Sequence, residues 1–426
     1  MTKAAFLCSG QGSQYVGMGR ELVRDSTAAA AAFDEASEAI GIDLRALCFE
    51  STAAELARTV NTQPAILTLS VAQARASAER EALDPAVIAG HSLGEITALT
   101  LAGSIGFADA VRLARRRGEL MQQAVPEGHG LMQQAVPEGH GLMLAVMTRE
   151  HEAVIDLCAQ VSEQMFDVVQ VSNLNSNTQV VVAGSASAVL AVHGRLEDDG
   201  IRSTPLNVSV PFHSPLMEPV VAPLREQLAS IEITAPQVTV LSNATGRPYR
   251  DEDEIVELLL RQVVEPVRWV ENQRWMRMHG IDYAVEFGPG QTLSGLMRHT
   301  HREVPVFSYD SADARASLQV MIERTTVPFL ARALGIAVAV RNTNFDADDY
   351  REKIVTPYRS LEKLSRLVDR ERRDATDQER REGAELLIGI LRAKGSTPAE
   401  IQSRLDTLSA DSRTEPLSVD DLLAHV

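Results

Sequence analysis

The chain has 426 residues, of which 45% are hydrophobic and 23% are charged, and its formal net charge at pH 7 is −17. This length and composition predict a globular protein with a large core and more than one domain. The acidic balance argues against a nucleic-acid partner, because phosphate groups are bound mainly by clustered Lys and Arg. The sequence holds no apolar run of about 20 residues, the length that spans a bilayer, so we expect no membrane partner.

The N-terminus and the cysteines favour a cytoplasmic protein. The opening residues "MTKAAFLCSGQGSQ" run directly into polar loop residues, which is not the pattern of a signal peptide. Cys8, Cys48 and Cys158 are widely spaced, which favours reduced thiols over disulfides or a metal site. We expect no metal and, separately, no bound cofactor.

Short apolar strands alternate with helices in the first part of the chain, which predicts an α/β layer with a parallel sheet. A strand at 4–8 ends in the glycine-rich loop "SGQGSQYVGMG", and a strand at 85–90 ends just before Ser92. Helices are expected at 27–40, at 63–82 with Pro64 in the first turn, from Ser92 onward, and at 107–124.

Residues 141–206 predict a separate small domain. Their order of strand, helix, two strands, helix and strand is the ferredoxin-like arrangement. The elements are expected at 141–147, 149–162, 166–173, 178–184, 185–200 and 201–206, with "LNSN" as the turn between the second and third strands. We interpret this unit as an insertion into a large α/β-hydrolase-like domain that comprises residues 1–140 and 207–310.

Residues 311–426 predict a helical C-terminal extension that is accessory to the catalytic unit. Thr356 and Pro357 are start signals for a helix that carries Leu361 and Leu364, and "STPAEIQSRL" contains start signals for another helix.

A perfect tandem repeat, "LMQQAVPEGHG", occupies 120–130 and 131–141. A solenoid needs three or more copies, so we interpret the repeat as a duplication accommodated in a surface loop. His129 and His140 would be the alternative, as a pair of ligands, but no other residue nearby supports that hypothesis.

The segment Gly90-His91-Ser92-Leu93-Gly94 has the G-x-S-x-G pattern that places a nucleophilic serine on a sharp strand-to-helix turn. A serine hydroxyl needs a base, and His91 would point away from its neighbour at such a turn. His213 is the better candidate, because it lies in a loop with two prolines at the seam between the two predicted domains, where ligand clefts form.

Three further residues fit acyl chemistry. The backbone N–H of Leu93 at the start of a helix, together with one from Gln11 in the first glycine-rich loop, would form an oxyanion hole. Arg115, Arg116 and Arg117 cannot all face the same way on one helix. We expect the first two to be solvated, and an inward Arg117 would bind a carboxylate through two hydrogen bonds.

Six motifs, in order, resemble the malonyl-CoA:acyl carrier protein transacylase family over about residues 3–308. They are "GQGSQ", "GHSLGE", "RRRGELMQQAVPEG", "NSNTQVVVAG", "VPFHSPLM" and "VEFGPGQTLSGL". The resemblance implies an α/β fold and a dyad of Ser92 and His213 without an essential third acid. It also implies that Gln11 and Leu93 form the oxyanion hole and that Arg117 holds the malonyl carboxylate.

The resemblance assigns less direct roles to four other residues. Gln262 matches a position that holds the active-site histidine through its main chain or its side chain. Asn173 and Asn175 match a polar stretch that lines the cleft. Phe212 matches a position that often carries Phe in malonyl-selective members. Its ring would crowd the α-methyl branch of a substituted malonyl group and so favour malonyl by about 1–3 kcal/mol.

The hypothesis favoured by these residues is an acyltransferase that moves malonyl from coenzyme A to the phosphopantetheine thiol of an acyl carrier protein. Coenzyme A enters as a thioester substrate, and the carrier serves fatty acid or polyketide biosynthesis. A thioester hydrolase with the same dyad and water as acceptor is the alternative. A non-catalytic scaffold is disfavoured, because the dyad is intact. A member of the α/β-hydrolases is disfavoured, because it would need an Asp or Glu between the nucleophile and the histidine and would lack the inserted unit.

The C-terminal extension and two groups of basic residues give information about the carrier protein and where it docks. "VPFLARALGIAVAVRNTNFD" is similar to extensions of stand-alone transacylases that serve modular polyketide synthases. Carrier proteins are usually acidic, so docking needs a local basic patch. "RHTHREV" at 298–304 and the Arg115/Arg116 pair are the candidates.

Overall fold

The computed structural model describes residues 3–81, 83–124, 141–206, 208, 210–344, 346, 349–371, 373–419 and 422. His129 and His140, and with them most of the tandem repeat, lie outside the described residues. The chain divides into two compact units, Thr2–Ser317 and Leu318–Val426. In the part of the chain that is described, no helix has both the length and the apolar character to cross a membrane.

The first unit is built on a five-stranded parallel sheet with the order β7-β2-β1-β8-β9. Its strands, numbered along the chain, are β1 (Ala4–Cys8), β2 (Pro85–Gly90), β7 (Thr239–Leu241), β8 (Tyr283–Phe287) and β9 (Val306–Ser308). Cys8 lies opposite both Gly90 and Phe287. The carboxyl ends of the three central strands therefore meet at one edge, where ligands bind in open α/β sheets.

Helices cover both faces of this sheet. The helices of this unit are α1 (Arg20–Asp25), α2 (Thr27–Ile40), α3 (Leu44–Glu50), α4 (Ala53–Ala57), α5 (Thr59–Arg80), α6 (Leu93–Leu101), α7 (Phe107–Gln123), α10 (Glu218–Ala229), α11 (Asp253–Val264), α12 (Trp269–Met278) and α13 (Thr292–Thr300). One more helix, α14 (Ala312–Thr325), spans the boundary between the two units. On one face, Leu7, Ala89 and Leu241 pack with Trp269 and Met276 of α12 in a buried cluster. The predicted strands at 4–8 and 85–90 and the helices at 27–40 and 107–124 are confirmed.

The helix α5 corrects one prediction, because it begins at Thr59 and encloses Pro64 instead of starting there. Polar side chains of its first turn bind main-chain oxygens of α4. Asn61 Nδ2 donates to Glu55 O at 2.9 Å, and Thr62 Oγ1 donates to Leu56 O at 2.5 Å. Contacts with α4 therefore extend the helix through polar residues that resemble a loop in the sequence.

The small sheet is antiparallel, with the order β4-β5-β3-β6. The chain order of β3 (Gly141–Met147), α8 (His151–Met165), β4 (Val169–Ser176), β5 (Gln179–Ser185), α9 (Ala186–Asp198) and β6 (Ser203–Pro205) confirms the ferredoxin-like prediction. Apolar side chains of both helices and of the sheet form its core. The hairpin turn is at Asn177 and Thr178, so most of "LNSN" belongs to β4 because those residues pair with β5.

The second unit, considered by itself, is helical, as predicted. It contains α15 (Phe329–Ala339), a π-helical turn at Tyr350–Val355, α16 (Thr356–Glu371), α17 (Asp377–Ala393) and α18 (Pro398–Ser412). Capping boxes begin α17 and α18, with Thr376 and Thr397 as the caps. Leu361, Leu387, Leu391, Leu405 and Leu408 lie in one buried core.

Two glycines allow α6 to pack close to the sheet edge. A Cβ atom on Gly90 would lie 1.8 Å from Gly94 O, and a Cβ atom on Gly94 would lie 2.0 Å from Cys8 O. Both distances are impossible for real atoms, so a side chain at either position would push the helix away from β1.

We expect Gly94→Ala to destabilise the protein by about 1–3 kcal/mol or more, the usual cost of overpacking. Gly295→Ala is the matched control, because Gly295 also lies in a helix and its Cβ would meet open space. Alanine should there stabilise the protein by up to about 1 kcal/mol. Urea unfolding of both variants measures the difference, and equal stabilities would contradict the close packing.

Candidate active site

Ser92 lies between β2 and α6 with φ 55° and ψ −107°. This left-handed backbone is unusual for a residue with a side chain and costs of order 1–3 kcal/mol unless its surroundings hold it. Asn243, just after β7, provides that hold. Its Oδ1 accepts from Ser92 N–H at 2.7 Å, and its Nδ2 donates to Gly90 O at 2.7 Å. Sequence analysis assigned no role to Asn243.

The structure brings His213 to Ser92, from a loop 121 residues later in the chain. Nε2 of His213 is 2.7 Å from Ser92 Oγ, and its Nδ1 is 2.5 Å from the main-chain oxygen of Gln262. Since a carbonyl oxygen can only accept, the proton lies on Nδ1 and the lone pair of Nε2 faces the serine hydroxyl. Gln170 Nε2 also donates to His213 O at 2.8 Å, which ties the histidine to β4.

The imidazole of His213 is neutral in this environment. Burial and then the nearby positive charge of Arg117 lower the pKa of His213 to about 3. A histidine with that pKa is unprotonated at neutral pH and is therefore ready to accept the serine proton.

Gln11 and Leu93 lie three residues beyond the ends of β1 and β2, at the same sheet edge. Among the described residues, no hydrogen-bond acceptor is present for the backbone N–H of either one. Two N–H donors next to a nucleophile can stabilise the negative charge of a tetrahedral intermediate. The side chain of Gln11 is bound to Thr59, with Nε2 donating to Oγ1 at 3.2 Å.

Arg117 faces inward from α7 and is only 3% exposed. Its guanidinium donates to Gln63 Oε1 at 3.0 Å, to Gln262 Oε1 at 2.8 Å and to Ser92 Oγ at 3.3 Å. Burial lowers the pKa of Arg117 to about 10, and the attraction of Glu95 opposes that change. The side chain thus stays charged at neutral pH, next to the hydroxyl oxygen.

Arg115 and Arg116 point away from Ser92 but are half-buried and not fully solvated as expected. Both pair with Glu119, and Arg115 also donates to Asn61 Oδ1 at 3.1 Å. Gln63, on α5, is a contact of Arg117 that sequence analysis missed, because it lies 54 residues away without a motif of its own.

The remaining predicted residues lie at different distances from the dyad. Phe212 is buried beside His213 in the chain. Asn173 Oδ1 accepts from the Ser172 hydroxyl, and no hydrogen bond joins Asn173 to Ser92 or His213 in the described structure. Its neighbour Asn175 reaches the turn instead, with Oδ1 at 2.9 Å from His91 Nε2.

Within the residues that the structure describes, no group of three or more His, Cys, Asp or Glu side chains could hold a metal ion. The arrangement around Ser92 combines a serine hydroxyl with a neutral imidazole, two backbone N–H groups that have no acceptor among the described residues, and a buried cation. It suits attack on a carbonyl carbon that lies close to an anionic group.

We expect the reactivity of Ser92 toward a small uncharged fluorophosphonate to stay level from pH 8 to about 5. The reason is that His213 remains neutral throughout this range, because its pKa is about 3. An ordinary histidine would instead lose about ten-fold in rate per unit below about pH 6.5. Intact mass follows the labelling and Ser92→Ala is the control, while a half-maximal rate between pH 6 and 7 would contradict the buried neutral base.

Comparisons with known proteins agree with this geometry. Residues 5–336 match the family model "Acyl transferase domain". A Bacillus subtilis protein named malonyl CoA-acyl carrier protein transacylase is 33% identical over 404 residues, covering 92% of this chain and 97% of the relative. Because the first unit ends at Ser317, that match continues into the second unit.

Solved structures of relatives match about three quarters of this chain. FabD from Acinetobacter baumannii has a TM-score of 0.70 and 36% identity, covering 76% of this chain and 99% of its own. PlMCAT, a malonyl-transacylase solved in complex with AntF, its type II PKS acyl-carrier protein, has a TM-score of 0.69 and 36% identity, covering 75% of this chain and 100% of its own. The chain belongs to the malonyl-CoA:acyl carrier protein transacylase family.

Proposed function

We propose that the protein acts as a malonyl-CoA:acyl carrier protein transacylase through a malonyl ester on Ser92. The observation that carries the proposal is the position of Arg117, with its buried guanidinium 3.3 Å from the same Ser92 Oγ that His213 approaches to 2.7 Å. A cation at that distance meets the free carboxylate of a malonyl group whose other end is bonded to the serine.

In the first half-reaction, Ser92 Oγ attacks the thioester carbon of malonyl-CoA and its proton passes to His213 Nε2. The carbonyl oxygen becomes an oxyanion between the N–H groups of Leu93 and Gln11. The intermediate then collapses, the C–S bond breaks, and the coenzyme A thiolate takes the proton from His213. Gln262 O accepts from Nδ1–H throughout and holds the ring in place.

In the second half-reaction, the phosphopantetheine thiol of a holo carrier protein gives its proton to His213 and attacks the ester carbon. Ser92 then leaves with the proton returned from Nε2, and malonyl remains on the carrier. A covalent intermediate shared by two substrates predicts ping-pong kinetics. Water as acceptor would give the alternative hydrolase, but selection of a carboxylate by Arg117 suits an enzyme that supplies malonyl units.

Three finer features belong to the same proposal. Phe212 would disfavour an α-methyl branch by about 1–3 kcal/mol. Coenzyme A is a substrate and not a resident cofactor. The carrier belongs to fatty acid or polyketide biosynthesis, and the three free, buried cysteines favour the reducing cytoplasm as the location.

The test is intact protein mass after brief exposure to malonyl-CoA, followed by addition of a holo acyl carrier protein. We expect a malonyl adduct on the wild type, none on Ser92→Ala, and movement of the adduct to the carrier. Methylmalonyl-CoA should react more slowly than malonyl-CoA. An adduct released as free malonate faster than it reaches a carrier would favour the hydrolase, and no adduct with any thioester would overturn the proposal.

A basic face formed by α12, α13 and the loop after α13 is the candidate surface for the acidic carrier. Arg298 and Arg302 are exposed and form no ion pair with a described residue. Asn177, two residues from the Asn175 that binds His91, accepts from Arg274 at 3.0 Å and so connects α12 to the site.

Charge reversal of both residues, Arg298→Glu with Arg302→Glu, should lower kcat/KM for the carrier by about ten-fold at low salt, with less effect at high salt. Formation of the acyl-enzyme from malonyl-CoA should not change. Arg225→Glu, an exposed arginine on α10, is the control. An unchanged kcat/KM for the carrier at low salt would show that the carrier docks on another surface.

A further inference from the structure

A buried carboxylate lies beneath the nucleophile and has no part in the steps above. Glu95, in the first turn of α6, is 0% exposed. Its Oε1 accepts from Asn243 N–H at 3.0 Å and from the Tyr249 hydroxyl at 2.5 Å, and its Oε2 accepts from Gln262 Nε2 at 2.6 Å. Each of these partners donates, and none of them carries a positive charge.

The side-chain amide of Gln262 connects Glu95 to Arg117. Its Nε2 donates to Glu95 and also to Ser92 O at 2.9 Å, while its Oε1 accepts from Arg117 at 2.8 Å. An amide has one donating end and one accepting end, so its orientation is decided by what faces it. A carboxylate can only accept, and it therefore turns the nitrogen of Gln262 toward itself and the oxygen toward the guanidinium.

We propose that Glu95 is a positioning residue that orients the Gln262 amide and thereby aims Arg117 at the carboxylate of an acyl group on Ser92. The inference rests on the proposed function, because it concerns an acyl group that carries a carboxylate. In this proposal Glu95 contributes to the choice of acyl group, whereas His213 activates Ser92.

Glu95→Gln separates these two roles without a change of volume. A glutamine at this position presents an NH₂ group to at least one of the donors that Glu95 now accepts from. If that group faces Gln262, the Gln262 amide must turn over and present its own NH₂ to Arg117. Arg117 then loses an acceptor and meets a donor, and Ser92 O loses the bond from Gln262 Nε2. The bonds of His213 to Ser92 Oγ and to the Gln262 main chain remain.

Glu286→Gln is the matched control. Glu286 on β8 is also 0% exposed and accepts from Ser9 Oγ, from Leu293 N–H, and from both the N–H and the hydroxyl of Ser294. Its hydrogen bonds do not include Gln262 or Arg117. It therefore reports what loss of a buried carboxylate does in general to this fold.

The measurement is the rate of Ser92 acylation, by intact mass, with malonyl-CoA, acetyl-CoA and a small uncharged fluorophosphonate. In Glu95→Gln we expect the malonyl rate to fall about ten-fold, the size of one charge-assisted hydrogen bond, with little change for the two reagents without a carboxylate. Glu286→Gln should leave the malonyl-to-acetyl ratio unchanged. Arg117→Ala gives the ratio for complete loss of the cation.

The pH dependence of the malonyl-to-acetyl rate ratio is a second readout. If Glu95 had only a structural role, this ratio would not change with pH. Burial raises the pKa of Glu95 to about 7, against its hydrogen bonds from Tyr249 and Gln262. Among the described residues, the charged or titratable groups that face Glu95 are Arg117, which stays protonated, and Tyr249, whose pKa is raised well above its usual value. Above pH 7 the carboxylate is therefore charged, and below pH 7 it takes up a proton.

The wild-type ratio should fall as the pH drops through about 7, toward the ratio of Glu95→Gln, which should not vary with pH. Tyr249→Phe removes a bond that favours the charged form, so it should move the midpoint to higher pH. A malonyl-to-acetyl ratio that stays at the wild-type value in Glu95→Gln, or a parallel loss with all three reagents, would overturn the role of Glu95. Absence of malonyl on the wild type would instead overturn the proposed function itself.

Discussion

The backbone of Ser92 is the constraint on which the rest of the site depends. Its φ of 55° is a conformation that a residue with a side chain keeps only under restraint. Gly90 and Gly94 let α6 approach the end of β1, and Asn243 binds the turn at both the Gly90 carbonyl and the Ser92 N–H. The hydroxyl consequently projects from the sheet edge toward His213, and the N–H of Leu93 has no acceptor among the described residues.

A buried cation next to a neutral base is the second constraint. Removing Arg117 from water is costly, and the oxygens of Gln63 and Gln262 replace part of its hydration. The same positive charge helps to keep His213 unprotonated. The site thus combines a neutral imidazole beside the Ser92 hydroxyl with a fixed positive charge. The side-chain amide of Gln262 joins that charge to the carboxylate of Glu95.

The fold followed from the sequence wherever local pattern and tertiary packing agree. The strands at 4–8 and 85–90 are short apolar runs that end at or close to a glycine, and the helix at 107–124 has one apolar face. The predicted start of α5 was wrong, because polar residues before Pro64 already lie in the helix. The N–H groups of Asn61 and Thr62 donate to Arg58 O, and the side chains of both donate to main-chain oxygens of α4. The hairpin turn was placed too early, since pairing with β5 keeps polar residues of β4 in the sheet.

The site shows the same division between local and distant information. By itself the sequence determined the serine turn, because glycine spacing after an apolar strand is local, and it marked His213 and Arg117 as the residues to place beside Ser92. Only the tertiary structure decided that Asn243 holds the turn, that Gln63 and Gln262 hold Arg117, and that Glu95 faces Gln262. Those residues come from segments that lie far apart in the chain, and the direction of a hydrogen bond between two side chains is settled only when packing brings donor and acceptor together.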